Sequence, residues 1–401
     1  MRPKLNICKV WDADYPWDVR VEKVASTLTS RGCSVHLAAR NTSRLPILEH
    51  RPEATVRRLR PWTWLPEAAD TMAMFPVFAN PRWLRHIRNV ARESNANIIL
   101  CRDLPLAPAC IAVGRALRLP VVLDMAENYP AMLASMRSTG RTRMFDLLVR
   151  NPRLARWVER WTLKRVDGVM VVVDESADRL AADGVPRERI AVVSNTPPLD
   201  RVKTTPAEHR GGTTTRVVYL GLIEAQRGIG TLIDALAILR RAQREVQLTL
   251  YGDGVDFALF RERAATLGLS APHVEFRGRV PNAEALAALN SAHVGVVPHW
   301  RDESWNTTVP NKLFDYMASG LAVLTSDTAP CARIVQTSNA GLVYHDRDAA
   351  DLAAKLRMLE DPELRAQSGA CGRAAITRSY HWERDADRMQ ALLERAAFRS
   401  P

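Results

Sequence analysis

The sequence predicts an α/β protein made of two successive domains, each a doubly wound parallel sheet covered by helices. Short β-branched segments alternate with helix-periodic segments along most of the 401 residues. A chain of this length usually forms about two domains. A stretch rich in Pro, Gly, Thr and charge, 197–215, interrupts the alternation once. We therefore expect a first domain over 1–200, a second over 201–375, and a C-terminal helix over 376–401 that packs back on the first.

The individual elements follow from hydrophobic periodicity and turn residues. In the first half, strands are predicted over 5–10, 34–39, 97–101, 120–124, 168–173 and 190–193, with helices over 19–30 and 106–117. In the second half, strands are predicted over 217–221, 247–252, 274–278, 294–298 and 322–326, with a helix over 229–241 and a helical tail from 362. Ligands of such sheets bind at the carboxyl ends of the strands, so we expect the site in a cleft between two facing domains.

Composition excludes several classes of protein. Hydrophobic residues make up 47% and charged residues 25%, as in ordinary globular chains. No apolar run approaches the ~20 residues that cross a bilayer, and the N-terminus, with Arg2, Lys4 and Lys9, does not resemble a signal peptide. We therefore expect a cytoplasmic protein. The formal net charge of +12 allows a nucleic acid, an anionic lipid or a phosphorylated ligand as partner.

A glycine-containing loop in the second half predicts an anion site. Gly221 ends a predicted strand, and Arg227 and Gly228 precede the next helix. Unpaired N–H groups and the helix dipole favour an anion at such a helix start, and Arg227 adds a full charge. The alternative, glycines that serve only tight turns, stays open.

A second cation lies at the start of another predicted helix, over 309–320. Lys312 there opposes the helix dipole, which local stability does not explain but a bound di-anion would. Asp315 is three residues away and could accept hydrogen bonds from vicinal hydroxyls, as on a ribose. The alternative is an ion pair between Lys312 and Asp315, worth only ~0.2–0.5 kcal/mol. We favour the ligand interpretation and expect Leu313, Phe314 and Met317 on the buried face.

Taken together, these segments resemble the retaining GT-B glycosyltransferases of glycosyltransferase family 4. The resemblance covers the second half and is fainter in the first, and its motifs stand in the family's order: GLIEAQRGIGTLIDALAIL, LTLYGDG, VEFRGRVP and VPNKLFDYMASGLAVLTS. It implies two Rossmann-like domains, a nucleotide-sugar donor bound by the second, and an acceptor bound by the first.

The resemblance also implies roles for particular residues. Arg227 and Lys312 look like the pair that grips the donor pyrophosphate, and Asp315 stands where the family usually has a Glu on the ribose. The nucleotide-binding positions are Gly221, Gly252, Gly254, Arg277 and Val280.

The sequence departs from the family's pattern at three positions. Thr307 replaces a Glu that normally lies against the transferred sugar, so donor identity is in doubt. Leu222 replaces an Arg, which leaves one phosphate cation fewer. In the first domain a D-x-H-E pattern reads Asp124 to Glu127 without its His. Asp124 or Glu127 could face the sugar as catalytic residues or cap a strand end, and both interpretations stay open.

Arg20 follows the first strand and is a candidate for the sugar side of the cleft. A solvated arginine at a helix start is the interpretation we favour for it. Departure of a pyrophosphate needs placed positive charge, which Arg227, Lys312 and helix termini could supply. We therefore expect no metal and no cofactor. The match Asp12-Ala13-Asp14 lies in a predicted loop after the first strand and is a weak metal candidate.

More than half of the excess charge lies in one segment, 136–165, which has nine basic and two acidic residues, a net of +7. By helical spacing, Leu154, Trp157, Val158 and Trp161 share one face, and Arg153, Arg156, Arg160 and Lys164 lie along another. This pattern suits an anionic membrane surface. It equally suits a globular helix whose tryptophans pack inward. A second cluster could extend the surface: Arg82, Trp83, Arg85, His86, Arg88 and Arg92.

The favoured hypothesis is an enzyme that transfers a sugar from a UDP- or GDP-sugar to a glycan or lipid-linked acceptor in cell-surface polysaccharide or glycolipid biosynthesis. It would be cytoplasmic, with a peripheral position on the inner membrane face as a further expectation. The alternatives are a UDP-sugar epimerase of the same fold and a degenerate nucleotide-binding module without turnover. A nucleic-acid partner is not expected, because no zinc spacing or helix-turn-helix signature occurs.

Overall fold

The computed structural model describes residues 4–16, 18–62, 69–70, 73–74, 78, 80–138, 151–202 and 214–398. These residues form two compact units, Met1–Ser194 with Asp385–Pro401, and Asn195–Arg384. Most of the predicted linker, residues 203–213, lies outside the described part of the chain.

The first unit is built on an eight-stranded sheet. Its strands are β1 (Asn6–Asp14), β2 (Ser34–Arg40), β3 (Leu48–His50), β4 (Thr55–Arg58), β5 (Ile98–Arg102), β6 (Val121–Asp124), β7 (Gly168–Val171) and β8 (Ile190–Val192). Its helices are α1 (Val19–Ser30), α2 (Pro81–Glu93), α3 (Ala107–Leu117), α4 (Tyr129–Ser138), α5 (Pro152–Leu163) and α6 (Asp174–Ala182). The strand order is β3-β4-β2-β1-β5-β6-β7-β8, and every neighbouring pair is parallel except β3 with β4.

The second unit is built on a six-stranded, fully parallel sheet of order β11-β10-β9-β12-β13-β14. Its strands are β9 (Thr215–Leu220), β10 (Val246–Tyr251), β11 (Val274–Gly278), β12 (Val294–Val297), β13 (Ala322–Ser326) and β14 (Gly341–Tyr344). Its helices are α7 (Ile229–Arg241), α8 (Phe257–Thr266), α9 (Asn282–Ala288), α10 (Asn311–Ala318), α11 (Ala329–Ser338), α12 (Ala349–Met358) and α13 (Pro362–Arg378).

The last helix, α14 (Trp382–Ala397), begins in the second unit and continues in the first. Its first N–H, on Trp382, donates to the carbonyl of Pro197 at 2.9 Å. Farther along, Leu392 packs so closely over Gly168 that a Cβ there would lie 3.0 Å from a leucine methyl. A glycine at the start of β7 therefore lets the helix lie against this sheet.

The alternating α/β architecture is confirmed, with differences that have local causes. The short strands β3, β4 and β14 were not predicted from the sequence; β3 and β14 are the edge strands of their sheets, and β3 and β4 contain charged residues rather than a continuous apolar run. β1 continues to Asp14, so the expectation of a loop at Asp12 is wrong: Asp12 pairs with Arg40 at 2.8 Å. The predicted buried face of α10 is confirmed, since Leu313, Phe314 and Met317 are all buried.

Candidate functional site

The loop that carries Arg227 is fixed against the segment after β12. Gly228 has a φ of +70°, and a Cβ at this position would lie 1.6 Å from the carbonyl oxygen of Pro298. Only glycine allows this approach of the two backbones. The N–H of Trp300 donates to the carbonyl of Gln226 at 3.0 Å, which ties the same two segments together. The position of Arg227 is therefore set by backbone contacts on both sides.

The Arg227 guanidinium is held by aromatic and neutral groups. Its Cζ lies 4.6 Å from the ring centroid of Trp305, and its Nη1 lies 3.2 Å from Nε2 of His299. The carboxylate of Glu224 is 3.8 Å from Nε, outside hydrogen-bond distance. Glu224 therefore offsets part of the charge of Arg227 without accepting a hydrogen bond, and N–H groups of the guanidinium stay able to donate to an anion.

Lys312, near the start of α10, is buried, with 8% of its surface exposed. Its Nζ lies 3.7 Å from the ring centroid of Tyr219 and has no hydrogen-bond partner among the described residues. A Cβ at Gly221 would lie 2.9 Å from Nζ, so glycine makes room for the ammonium group. The alternative of a Lys312–Asp315 ion pair is wrong, because Nζ has no such partner.

Arg227 and Lys312 are close enough for one charge to act on the other. Burial lowers the pKa of Lys312 well below its usual value, and the positive charge of Arg227 lowers it further. Neither α7 nor α10 has an acidic residue in its first turn or a side chain that caps it. Two cations and two uncapped helix starts therefore lie in one part of the second unit, an arrangement that favours a bound anion.

Two further glycines lie where β9 and β10 end. A Cβ at Gly252, whose φ is +140°, would lie 1.9 Å from the carbonyl oxygen of Gly221. A Cβ at Gly254 would lie 2.3 Å from the carbonyl oxygen of Ile223. The close approach of these two loops therefore requires both glycines, and this packing reason stands beside any role toward a ligand.

The remaining predicted residues of the second unit differ in their burial and in their contacts. Asp315 is half-buried on α10, three residues after Lys312. Thr307 is buried, and its hydroxyl donates to the carbonyl of Glu303 at 2.8 Å. Arg277 is 54% exposed on the edge strand β11, where it pairs with Glu275 at 3.0 Å, and Val280 follows this strand, half-buried. The sheet order places β11 two strands away from β9.

In the first unit, Arg20 and Asp124 form a buried ion pair. Nε and Nη2 of Arg20 donate to the carboxylate at 3.0 and 2.6 Å, and Nη2 also donates to the carbonyl of Val193 at 3.0 Å. Burial raises the pKa of Asp124, but the charges of Arg20, Arg102 and Lys9 outweigh this effect and lower it to about 2. The interpretation of Arg20 as a solvated arginine is therefore wrong, and the carboxylate of Asp124 binds a side chain rather than capping a strand end. Glu127 lies in the bend after β6, half-buried.

Two buried groups, Lys9 in the first unit and His299 in the second, were not predicted from the sequence. Lys9 is fully buried in β1, and burial lowers its pKa to about 8. Its one signal is a lysine inside the apolar segment LNICKV. His299 follows β12 and contacts Arg227, and a lone histidine after VGVVP gave no indication of this contact.

The basic segment is partly described, since 139–150 lies outside the described residues. On α5, Val158 is buried, whereas Trp157 is 63% exposed and Leu154 is 38% exposed. The acidic residue of this helix, Glu159, is buried and receives two hydrogen bonds of 2.9 Å from Arg179. The outer face of α5 is therefore basic with an exposed tryptophan. The second cluster differs, because Trp83 is completely buried and cannot contribute to a surface.

The described residues contain no group of three or more His, Cys, Asp or Glu side chains that could hold a metal ion. No helix among them is long and apolar enough to cross a membrane.

Comparison with known proteins places both halves of the chain in related families. Residues 214–361 match the family described as glycosyl transferases group 1, and residues 18–196 match the glycosyl transferase 4-like domain. The chain is 34% identical over 168 residues, 41% of each protein, to the phosphatidyl-myo-inositol mannosyltransferase of Mycolicibacterium smegmatis. The match spans less than half the length of this relative and of its Mycobacterium leprae counterpart, 41% and 46%.

Solved structures with the same fold cover nearly the whole chain. Sucrose-phosphate synthase from Thermosynechococcus elongatus has a TM-score of 0.74 at 20% identity and covers 97% of this chain and 98% of its own. Anabaena Alr3699/HepE in complex with UDP has a TM-score of 0.70 at 15% identity and covers 97% and 99%. The predicted fold class is confirmed as GT-B, with two Rossmann-like domains. With both domains matched, the chain belongs to the group 1 glycosyl transferases of glycosyltransferase family 4.

Proposed function

We propose that the protein is a retaining, metal-independent glycosyltransferase that moves a sugar from a UDP- or GDP-sugar to a glycan or lipid-linked acceptor. The observation that carries the proposal is the pair Arg227 and Lys312, two neighbouring basic groups. Nζ of Lys312 has no hydrogen-bond partner among the described residues, and the carboxylate of Glu224 lies 3.8 Å from Nε of Arg227 without a hydrogen bond. A nucleoside diphosphate is a ligand of the charge and size that this pair requires.

The chemistry follows from where negative charge develops. When the bond between sugar and phosphate breaks, the diphosphate takes the electron pair and leaves as an anion. Positive groups that are already in place stabilise this charge without reorganisation, which is usually the largest single contribution to such catalysis. Arg227, Lys312 and the starts of α7 and α10 would supply it. Asp315 would bind the ribose hydroxyls, and Thr307 would lie on the sugar side.

Two further observations support a nucleotide sugar as the donor. The structural neighbour Alr3699/HepE was solved in complex with UDP. Closely packed Gly221, Gly252 and Gly254 keep side chains away from the loops beside the cations, which suits a nucleotide lying against the backbone. We assign Arg20 and Asp124 to a supporting role, because both are buried in their mutual ion pair.

The nature of the acceptor rests on the first unit and on the mannosyltransferase relatives, whose name specifies a phosphatidyl-inositol acceptor. Helices α2, α3 and α5 share one core, and α3 packs against both of the others. The exposed basic residues on these helices or directly after them are Arg85, Arg88, Arg92, Arg115, Arg118, Arg153, Arg156, Arg160 and Lys164. Such a face, with the exposed Trp157, suits a peripheral position on an anionic membrane and a role in cell-surface glycolipid or polysaccharide synthesis.

The test is turnover of sugar nucleotides. Purified protein is incubated with a panel of UDP- and GDP-sugars and extracted bacterial lipid, and release of the nucleoside diphosphate is measured together with the labelled lipid product. We expect release that depends on the lipid and a product of retained anomeric configuration, with no effect of a metal chelator. Conversion of the sugar nucleotide into its epimer would instead identify an epimerase. Diphosphate binding without turnover of any donor would identify a binding module.

A further inference from the structure

His299 contacts Arg227 and is close enough to Lys312 for its charge to act on the imidazole, although the sequence did not predict it as a site residue. It is fully buried just after β12, and its ring centroid lies 4.2 Å from that of Trp305. The hydroxyl of Ser326 donates to its carbonyl at 2.6 Å, which fixes the backbone of this residue. The contacts with Trp305 and Ser326 therefore fix the position of His299.

The contact with Arg227 determines where the imidazole carries its proton. Nη1 of Arg227 lies 3.2 Å from Nε2 of His299, and a guanidinium group can only donate hydrogen bonds. Nε2 must therefore accept, so the ring is neutral with its proton on Nδ1. Burial lowers the pKa of His299 well below its usual value, and the charges of Lys312 and Arg227 lower it further. Nδ1 has no partner among the described residues.

A neutral hydrogen-bond acceptor can orient Arg227 without offsetting its positive charge, which a carboxylate cannot do. A Glu or Asp at this place would orient Arg227 more strongly, but it would also neutralise the charge that an anionic ligand needs. The carboxylate of Glu224, 3.8 Å from Nε of Arg227, forms an ion pair with it but no hydrogen bond, so it attracts the guanidinium without orienting it. An imidazole kept neutral by two neighbouring cations orients the guanidinium and leaves its charge available.

We propose that His299 is a positioning residue that orients the Arg227 guanidinium toward the ligand's phosphates by accepting its hydrogen bond as a neutral, Nδ1-protonated imidazole. This inference rests on the proposed function, since it assumes that the cluster binds a nucleoside diphosphate.

The test is a set of substitutions measured by calorimetry with UDP and GDP. His299→Leu removes the acceptor at similar volume and should weaken binding about tenfold, the usual effect of losing a hydrogen bond to a charged group. His299→Gln keeps an acceptor oxygen and should recover most of the affinity. His299→Glu should bind worse than His299→Gln, because its charge offsets that of Arg227. Thermal melting of each variant checks that it folds.

A double-mutant cycle separates positioning from direct contact. If His299 acts through Arg227, then His299→Leu should change the affinity little in an Arg227→Met background. Additive effects, or no rescue by His299→Gln in a folded variant, would overturn the inference while leaving the proposed function intact. If the wild type binds neither diphosphate, the proposed function fails and the inference with it.

Nitrogen-15 NMR of histidine gives a readout that needs no ligand. The signal of His299, identified by its loss in His299→Gln, should show protonated Nδ1 and unprotonated Nε2 at neutral pH. An imidazolium, or a proton on Nε2, would overturn the inference.

Discussion

Lys312 is the residue whose protonation state should change most when a nucleoside diphosphate binds. The described groups that act on it are Arg227, His299, Tyr219 and Cys331, and none of them is a carboxylate. Burial without a hydrogen-bond partner disfavours the charged ammonium, and the neighbouring cation adds to this effect. A diphosphate placed beside Nζ would reverse both influences and raise the pKa of Lys312 again.

We therefore predict that UDP or GDP binding is coupled to proton uptake. The free protein has the lowered pKa and the complex the higher one, so affinity should fall as pH rises through the range between them. Calorimetry in buffers of different ionisation enthalpy measures the number of protons taken up, expected to approach one within that range. Lys312→Arg, which stays charged, should bind with almost no uptake. Equal uptake by wild type and Lys312→Arg would show that another group titrates.

At the scale of elements, the site depends on how closely two loops approach. The Arg227 loop and the segment after β12 meet at Gly228, where the second backbone occupies the space of a Cβ. Gly268 gives a matched comparison, because its φ of +69° equals that of Gly228 within a degree and nothing lies within 4 Å of its Cβ position.

We predict that Gly268→Ala costs about 1 kcal/mol of unfolding free energy, the cost of a positive φ alone. Gly228→Ala should cost about 2 kcal/mol more, because a clash with backbone is relieved only by moving a loop. It should also weaken UDP or GDP binding, since Arg227 would move with the loop. Chemical denaturation and calorimetry measure the two effects. Equal stability of the two variants would show that the loops are not in contact as described.

The elements were predictable from sequence where periodicity was strong, as in α1, α7 and β13, whose bounds agree with the structure. The sequence singled out Arg227 and Lys312 because each is a basic residue at a helix start, and their role as an anion site stays a proposal. The Arg20–Asp124 pair was not predictable, since its partners are 104 positions apart and meet only in the folded chain. His299 was not predictable as a site residue, because its contact with Arg227 exists only in the folded chain.

At the scale of the whole molecule, the uneven distribution of charge is the feature with functional consequences. Within the 136–165 segment, α5 turns its acidic residue, Glu159, inward to Arg179 and its basic residues outward. The net charge of +12 thus has a strong local component on the first unit. An anionic lipid surface attracts each exposed cation by ~1 kcal/mol near the membrane.

We predict that the protein pellets with vesicles rich in phosphatidylglycerol and remains in solution with phosphatidylcholine alone. Reversal of Arg153, Arg156 and Arg160 to Glu should lower the partition coefficient by more than about a hundredfold. The matched control reverses Arg240, Arg241 and Arg357, three exposed arginines of the second unit. Equal losses in both triple variants would indicate a general charge effect. Unchanged pelleting of the first would refute membrane binding through α5.

Calorimetric titration of the wild type and Lys312→Met with UDP and with GDP, with Lys355→Met as control, shows whether this cluster binds the donor diphosphate. Lys355 lies on the surface helix α12, 4.0 Å from Asp351. We predict that the wild type and the control bind one of the diphosphates equally and that Lys312→Met loses at least about tenfold in affinity. Lys312→Met should melt no lower than the wild type, because it removes a buried, unpartnered ammonium group. Undiminished binding by Lys312→Met, or no binding of either diphosphate by the wild type, would contradict the assignment of this cluster as the donor site.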